Sequence, residues 1–202
     1  MTTKVSVFVD YVCPYCFLAE GAIEELKRDR DVVADIRPFE LRPDPVPTLR
    51  PEDDYLPTVW NRSVYPMARR LGVPISLPTI SPQPRTEKAF LVLQLAAERG
   101  LAEAYSHAMF AAFFQDDRDV GREEVIIDVA ASVGLARSDV EAALTSRQRA
   151  DRHADDLTYA VRQVGVQAVP SFLIGDRLLS GVHDATQLKA AVDEFARTAA
   201  IS

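Results

Sequence analysis

The chain has 202 residues, 48% of them hydrophobic and 26% charged, with a formal net charge of −7. That is enough chain for a good core, and the acidic balance without a long Lys/Arg cluster argues against a nucleic-acid or anionic-membrane partner. No apolar run approaches a membrane span, and Met1-Thr2-Thr3-Lys4 leads into the first strand without a secretory signal, so a reducing, cytoplasmic location is expected.

Val5, Val7 and Val9 alternate with Ser6, Phe8 and Asp10 and predict a short buried strand. After Cys16 the period becomes helical, with Leu18, Ala22, Ile23 and Leu26 on one face. Between strand and helix stands Cys13-Pro14-Tyr15-Cys16, which holds both cysteines of the chain. Pro14 falls at about the first helical position, where its missing N–H costs nothing. Cys13 is then expected at the helix mouth, where free N–H groups and the helix dipole favour a thiolate. Thiolates in such motifs form at pKa values of about 3.5 to 7, against about 8.5 for a free cysteine. Cys16, one turn on, is placed to attack a mixed disulfide at Cys13. The pair reads as a nucleophile and its resolving partner. A structural zinc site would need about four ligands, and His107, His153 and His183 are scattered, so no metal is expected. A merely structural disulfide here would close too short a loop to stabilise much.

A second strand is predicted over Val32–Phe39. Eleven of the thirteen prolines lie between Pro38 and Pro84, and Pro43, Pro45 and Pro47 impose an extended path. A short helix is expected from Trp60 to Leu71, with Trp60, Val64, Met67 and Leu71 on one face, in a crossing that could line a substrate groove. Thr86 to Gly165 reads as a helical block. Its stripes are Ala89-Phe90-Leu93, then Tyr105-Met109-Ala112 running into Phe113-Phe114, then Ile126-Val129-Ala130. Ser138 and Glu141 suggest a capping box, and a last long helix carries Ala150, Ala154, Leu157, Val161 and Val164. Two strands, Val166–Ile174 and Arg177–Ser180, are joined by a Gly175-Asp176 turn. Asp184 then caps a helix with Leu188, Ala191, Val192 and Phe195 inward.

A strand, a Cys-x-x-Cys opening a helix, and a later Val169-Pro170 before a hairpin resemble the thioredoxin fold. Glutaredoxins share Cys-Pro-Tyr-Cys but run to their proline without a helical block, so the chain resembles the DsbA architecture instead. Within it the likeness is to the cytoplasmic FrnE-like group, through Asp10 to Cys16, the Pro-rich crossing with Trp60, Gly165-Val166 to Val169-Pro170, and Ser180 to His183. The resemblance implies an α/β thioredoxin fold with a large inserted helical domain. Residues 1–45 and 160–202 would form the first part and 46–159 the second. It also implies a cis Pro170 beside the reactive sulfur and a Val169 backbone that pairs with an incoming peptide strand.

The expected activity is thiol–disulfide oxidoreduction through a mixed disulfide at Cys13, resolved by Cys16. Cys13, Cys16 and Pro170 are the expected catalytic set, and Pro14, Tyr15 and Val169 the substrate contacts. Partners would be protein or peptide thiols and disulfides, with no cofactor beyond glutathione or another small thiol as cosubstrate. Where thioredoxins carry a buried acid, six residues before the first cysteine, this chain has Val7. Asp10 is the candidate substitute for proton transfer; alternatively it ends the strand and caps a turn. Trp60 and Phe113-Phe114 read as core, and His183 as a surface residue. Two other functions share the architecture. Kappa-type glutathione transferases and hydroxychromene carboxylate isomerases generally use serine where Cys13 stands and leave Cys16 without a purpose. A peptide-binding, chaperone-like module would use neither cysteine.

Overall fold

The structure, a computed structural model, describes residues 2–199. β1 (Thr3–Val9) buries Val5, Val7, Phe8 and Val9, since as a central strand it is covered on both faces. α1 (Pro14–Leu18) and α2 (Glu20–Asp29) follow one another through Ala19, so the predicted single helix is divided there. β2 (Val32–Pro38) returns beside β1 in parallel, with Thr3 opposite Val32 and Val9 opposite Pro38.

The crossing holds more helix than its prolines suggest. α3 (Tyr55–Val59) passes through a wider π turn at Trp60–Val64 into α4 (Tyr65–Leu71). Pro57 sits in the first turn, where its N–H is not needed, and the wide turn before Pro66 relieves the clash its ring would make with an ordinary preceding turn. The buried stripe is Leu56, Trp60, Val64 and Ala68, whereas Leu71, expected on that face, is 50% exposed.

α5 (Glu87–Glu98), α6 (Ala102–Phe114), α7 (Glu123–Ser132), α8 (Arg137–Leu144) and α9 (Arg147–Thr158) make up the helical block. Phe90, Met109, Phe113, Phe114 and Ile126 are buried in it, as the stripes predict. The Ser138–Glu141 capping box does not form, because α8 begins at Arg137 and already contains Ser138. The serine that caps is Ser146, whose Oγ accepts from the Arg149 N–H at 3.3 Å to open α9. α9 also turns a different face inward. It continues into a wider π turn at Tyr159–Val164, and along the run Ala154 is exposed and Val161 is 54% exposed, while His153 and Ala160 are buried.

β3 (Ser171–Ile174) and β4 (Arg177–Ser180) form the hairpin. The expected start at Val166 is too early: residues 166–170 are loop, and the ladder begins after Pro170, which has no N–H to give it. Gly175 turns the hairpin at φ +62°, and a Cβ there would run into the Phe195 ring. α10 (Ala185–Ala199) packs on α2 and β3. Asp184 Oδ1 accepts from the Gln187 N–H at 2.8 Å and Gln187 Oε1 from the Asp184 N–H at 3.1 Å, a reciprocal cap.

The sheet order is β2-β1-β3-β4, with β3 antiparallel to both neighbours. The helical block enters the chain between β2 and β3, and one apolar cluster runs through sheet and helices alike. Among the described residues, no helix is long and apolar enough to cross a membrane.

Candidate functional site

The site forms where β1 stops. Asp10 ends the strand, its carbonyl accepts from the Cys13 N–H at 2.9 Å, and Cys13 takes the N-cap of α1 with Pro14 as the first helical residue. The Cys16 N–H donates to the Cys13 carbonyl at 3.1 Å, which winds the first turn and places both sulfurs on it. Both cysteines are free thiols and both are buried. The Cys13 thiol donates to the Val169 carbonyl at 3.4 Å, and the peptide bond from Val169 to Pro170 is cis. Residues 156 positions apart in the chain thus meet at one sulfur.

Burial pushes the Cys16 thiol well above its ordinary range, and the adjoining Cys13 adds to this, while a hydrogen bond from the Asp10 backbone pulls the other way. Asp10 is 2% exposed. Desolvation raises its carboxyl to about 6, against hydrogen bonds from Leu41 and Thr86 that hold it down and with the charge of Glu40 adding to the rise. Its Oδ2 accepts from the Leu41 N–H and its Oδ1 from the Thr86 hydroxyl, each at 2.8 Å. Asp10 therefore ties the end of the β2 segment to the start of α5, as well as standing three residues from Cys13.

Tyr15 is anchored by its hydroxyl, which donates to Ser63 Oγ at 2.8 Å in the π turn. Tyr11 is buried: it stacks on Phe90 with ring centroids 4.7 Å apart, and its hydroxyl lies 3.1 Å from Ser106 Oγ. Trp60, Phe113 and Phe114 are core residues at 1% exposure or less. His183 sits at the α10 start, with Nε2 3.2 Å from the Ser180 carbonyl and Nδ1 3.3 Å from Gln187 Oε1. Ser63, Thr86 and Glu40 carry no signal in the sequence that would associate them with the motif. Among the described residues, no group of three or more His, Cys, Asp or Glu side chains converges as a metal site.

Two thiols of one helical turn, a backbone carbonyl against the first and a buried acid beside the second can support stepwise sulfur exchange. Residues 4–193 match the family described as DSBA-like thioredoxin domain. The chain belongs to that family. This DSBA-like chain is 36% identical over 195 residues to the uncharacterized protein YwbO of Bacillus subtilis (strain 168), covering 96% of this chain and 98% of that protein. Among solved structures it is similar to the probable DsbA oxidoreductase SCO1869 of Streptomyces coelicolor, at TM-score 0.77, 25% identity and coverage of 96% and 89%. A 2-hydroxychromene-2-carboxylate isomerase gives TM-score 0.77 at 18% identity, covering 98% of each chain. The cytosolic disulfide reductase DsbM of Pseudomonas aeruginosa gives 0.69 at 16% identity, covering 95% and 94%. The last two share the fold. The DSBA-like family and these neighbours are enzymes of the oxidoreductase and isomerase kind.

Proposed function

We propose that the protein is a thiol–disulfide oxidoreductase of the FrnE-like kind, working in a reducing, cytoplasm-like compartment on protein or peptide thiols and disulfides. The observation that carries this reading is the meeting of two cysteine sulfurs, one at the start of α1 against the Val169 carbonyl, the other buried one turn inside. In the reducing direction, Cys13 as thiolate attacks a substrate disulfide. One S–S bond breaks, a Cys13–substrate mixed disulfide forms, and the displaced thiolate takes a proton. Cys16 gives its proton to the Asp10 carboxylate and attacks Cys13 Sγ, closing the Cys13–Cys16 disulfide and releasing the second substrate thiolate. Two electrons have passed to the substrate. Two molecules of a small thiol return the pair to dithiol and leave as their own disulfide; substrate oxidation is the same sequence reversed.

Pro14, Tyr15 and Val169 would contact the substrate, with Val169 offering backbone to an extended segment and Pro170 shaping the approach. Residues 46–159 form the inserted unit of this proposal, of which the Ser63 turn braces the motif through Tyr15. A structure of DsbM has been solved with glutathione, which supports a small thiol as cosubstrate here. The isomerase reading has no task for Cys16, and the resolving step does.

Cys16→Ala tests this directly. Without the resolving thiol, mixed disulfides should accumulate on Cys13 and survive non-reducing electrophoresis, with disappearance on adding a reductant. A variant that captures neither a peptide disulfide nor oxidised glutathione contradicts the proposal.

A further inference from the structure

A buried polar pair next to the site takes no part in the reaction proposed above. His153 of α9 places Nε2 2.7 Å from Glu40 Oε1, with only 4% and 6% of the two side chains exposed. The imidazole stacks on Phe90, centroids 5.6 Å apart, and Phe90 in turn stacks on Tyr11. His153 Nδ1 is buried with no hydrogen-bond partner. The ring's one hydrogen-bonding contact is thus Nε2 with the Glu40 carboxyl, and its other nitrogen goes unmet. Such a pair is costly to bury and asks for a reason. Its position supplies one. Glu40 directly precedes Leu41, whose N–H holds Asp10, and the Glu40 charge acts on Asp10.

We propose that Glu40 and His153 are positioning residues for Asp10: they fix the Leu41 N–H and hold a negative charge beside the acid, and so tune its proton exchange with Cys16. The inference rests on the exchange chemistry proposed above. Asp10 is faced by Cys16 of α1, by Tyr11 of its own segment and by Glu40 beyond β2, and its carbonyl accepts from Cys13 at the α1 N-cap. Across a hollow of about 30 Å³ it is faced by Arg42 and Arg85, with Gln83 and Thr86 also on the wall. Arg85 is engaged by Asp44 and by the Arg42 and Val46 carbonyls. One turn along α9 from His153, Asp156 is paired with Arg37 of β2. The hollow exceeds the roughly 10–15 Å³ that seats a water.

The test is the rate at which Cys16 resolves a preformed Cys13–glutathione mixed disulfide, followed against pH by quenching and mass. Wild type should show a limb that rises with pH as Asp10 becomes able to accept the proton. Glu40→Gln removes the neighbouring charge, so Asp10 ionises more readily and the limb moves to lower pH, by about half a unit, or about threefold in rate near pH 5. His153→Phe keeps the ring on Phe90 but removes the partner that holds Glu40 and, through it, the Leu41 N–H, so the limb leaves its wild-type position. His153→Gln, which restores an N–H donor, should return it towards wild type. A merely structural pair would lower the melting temperature and leave the limb in place. Should Glu40→Gln not fold, His153→Phe and His153→Gln carry the comparison. Superposed limbs in wild type and the variants overturn this inference alone, whereas a wild type without Cys16-dependent resolution overturns the exchange reading and this inference with it.

Discussion

Cys13→Ser is expected to bring disulfide reduction and thiol oxidation down to the uncatalysed background. A serine hydroxyl cannot form or break an S–S bond, and no other described cysteine except Cys16 could replace it. Cys16 is the poorer attacker: burial and the sulfur beside it hold it as thiol. The substitution changes one atom and keeps a donor for the Val169 carbonyl, so folding stability should move by only about 1 kcal/mol. Insulin-reduction and small-thiol oxidase assays beside a thermal melt separate the two effects. The same variant discriminates between functions. A glutathione-dependent isomerase would retain activity with serine at residue 13, and a peptide-binding module would be indifferent to it.

The second large effect is expected at Asp10, and it has two signs. Folded Asp10 titrates at about 6 against an ordinary 3.8, and desolvation is the leading cause. Above pH 6 the carboxylate is charged in both folded and unfolded chains, and the folded chain bears the cost of burying it, about 3 kcal/mol. That cost is relieved as pH falls from about 6 to 3.8, so Asp10 favours the folded state in acid, the reverse of a paired surface carboxylate. Asn at this position removes the charge, while its carbonyl can still accept from Leu41 and its amide donate to Thr86. Asp10→Asn should therefore stabilise the protein by about 1–3 kcal/mol near pH 7 and flatten its pH dependence below 6. It should also slow Cys16-dependent resolution by about a hundredfold or more, the contribution of a positioned general base. Denaturant melts across pH and the resolution assay read the two signs. A variant that gains stability without losing rate would leave Asp10 a strand-end residue only.

The reactive motif is legible in the sequence because its information is local. Pro14 between two cysteines at a change of period defines both the helix start and the spacing of the sulfurs, and the Val-Pro before a hairpin locates the distant partner. The strands and the buried faces of α5, α6 and α10 follow from residue periodicity for the same reason. What supports the site is not local. Leu41 N–H, Ser63 and Thr86 reach Asp10 and Tyr15 from segments between 31 and 76 positions away, and a backbone amide or a hydroxyl carries no distinctive sequence signal. Trp60–Leu71 follows from its apolar face, but the earlier α3, Tyr55–Val59, escapes a proline-based reading because Pro57 falls in a first turn. α9 escapes a hydrophobicity-based one. Its inward face carries His153, a polar residue made buriable by Glu40 113 positions earlier, while Val161, in the wide turn that continues it, is left in solvent. An apolar stripe is a good guide only where the core asks for nothing but apolar surface.

Cys13 and Cys16 are expected to act as one two-electron couple. Equilibrating the protein over a series of reduced-to-oxidised thiol ratios, quenching with acid and weighing the intact chain tests it most directly. One transition is expected between dithiol and an internal Cys13–Cys16 disulfide, following a two-electron slope of about 30 mV per tenfold change in ratio. Independent thiol adducts on the two cysteines, or no internal disulfide at any ratio, would contradict it.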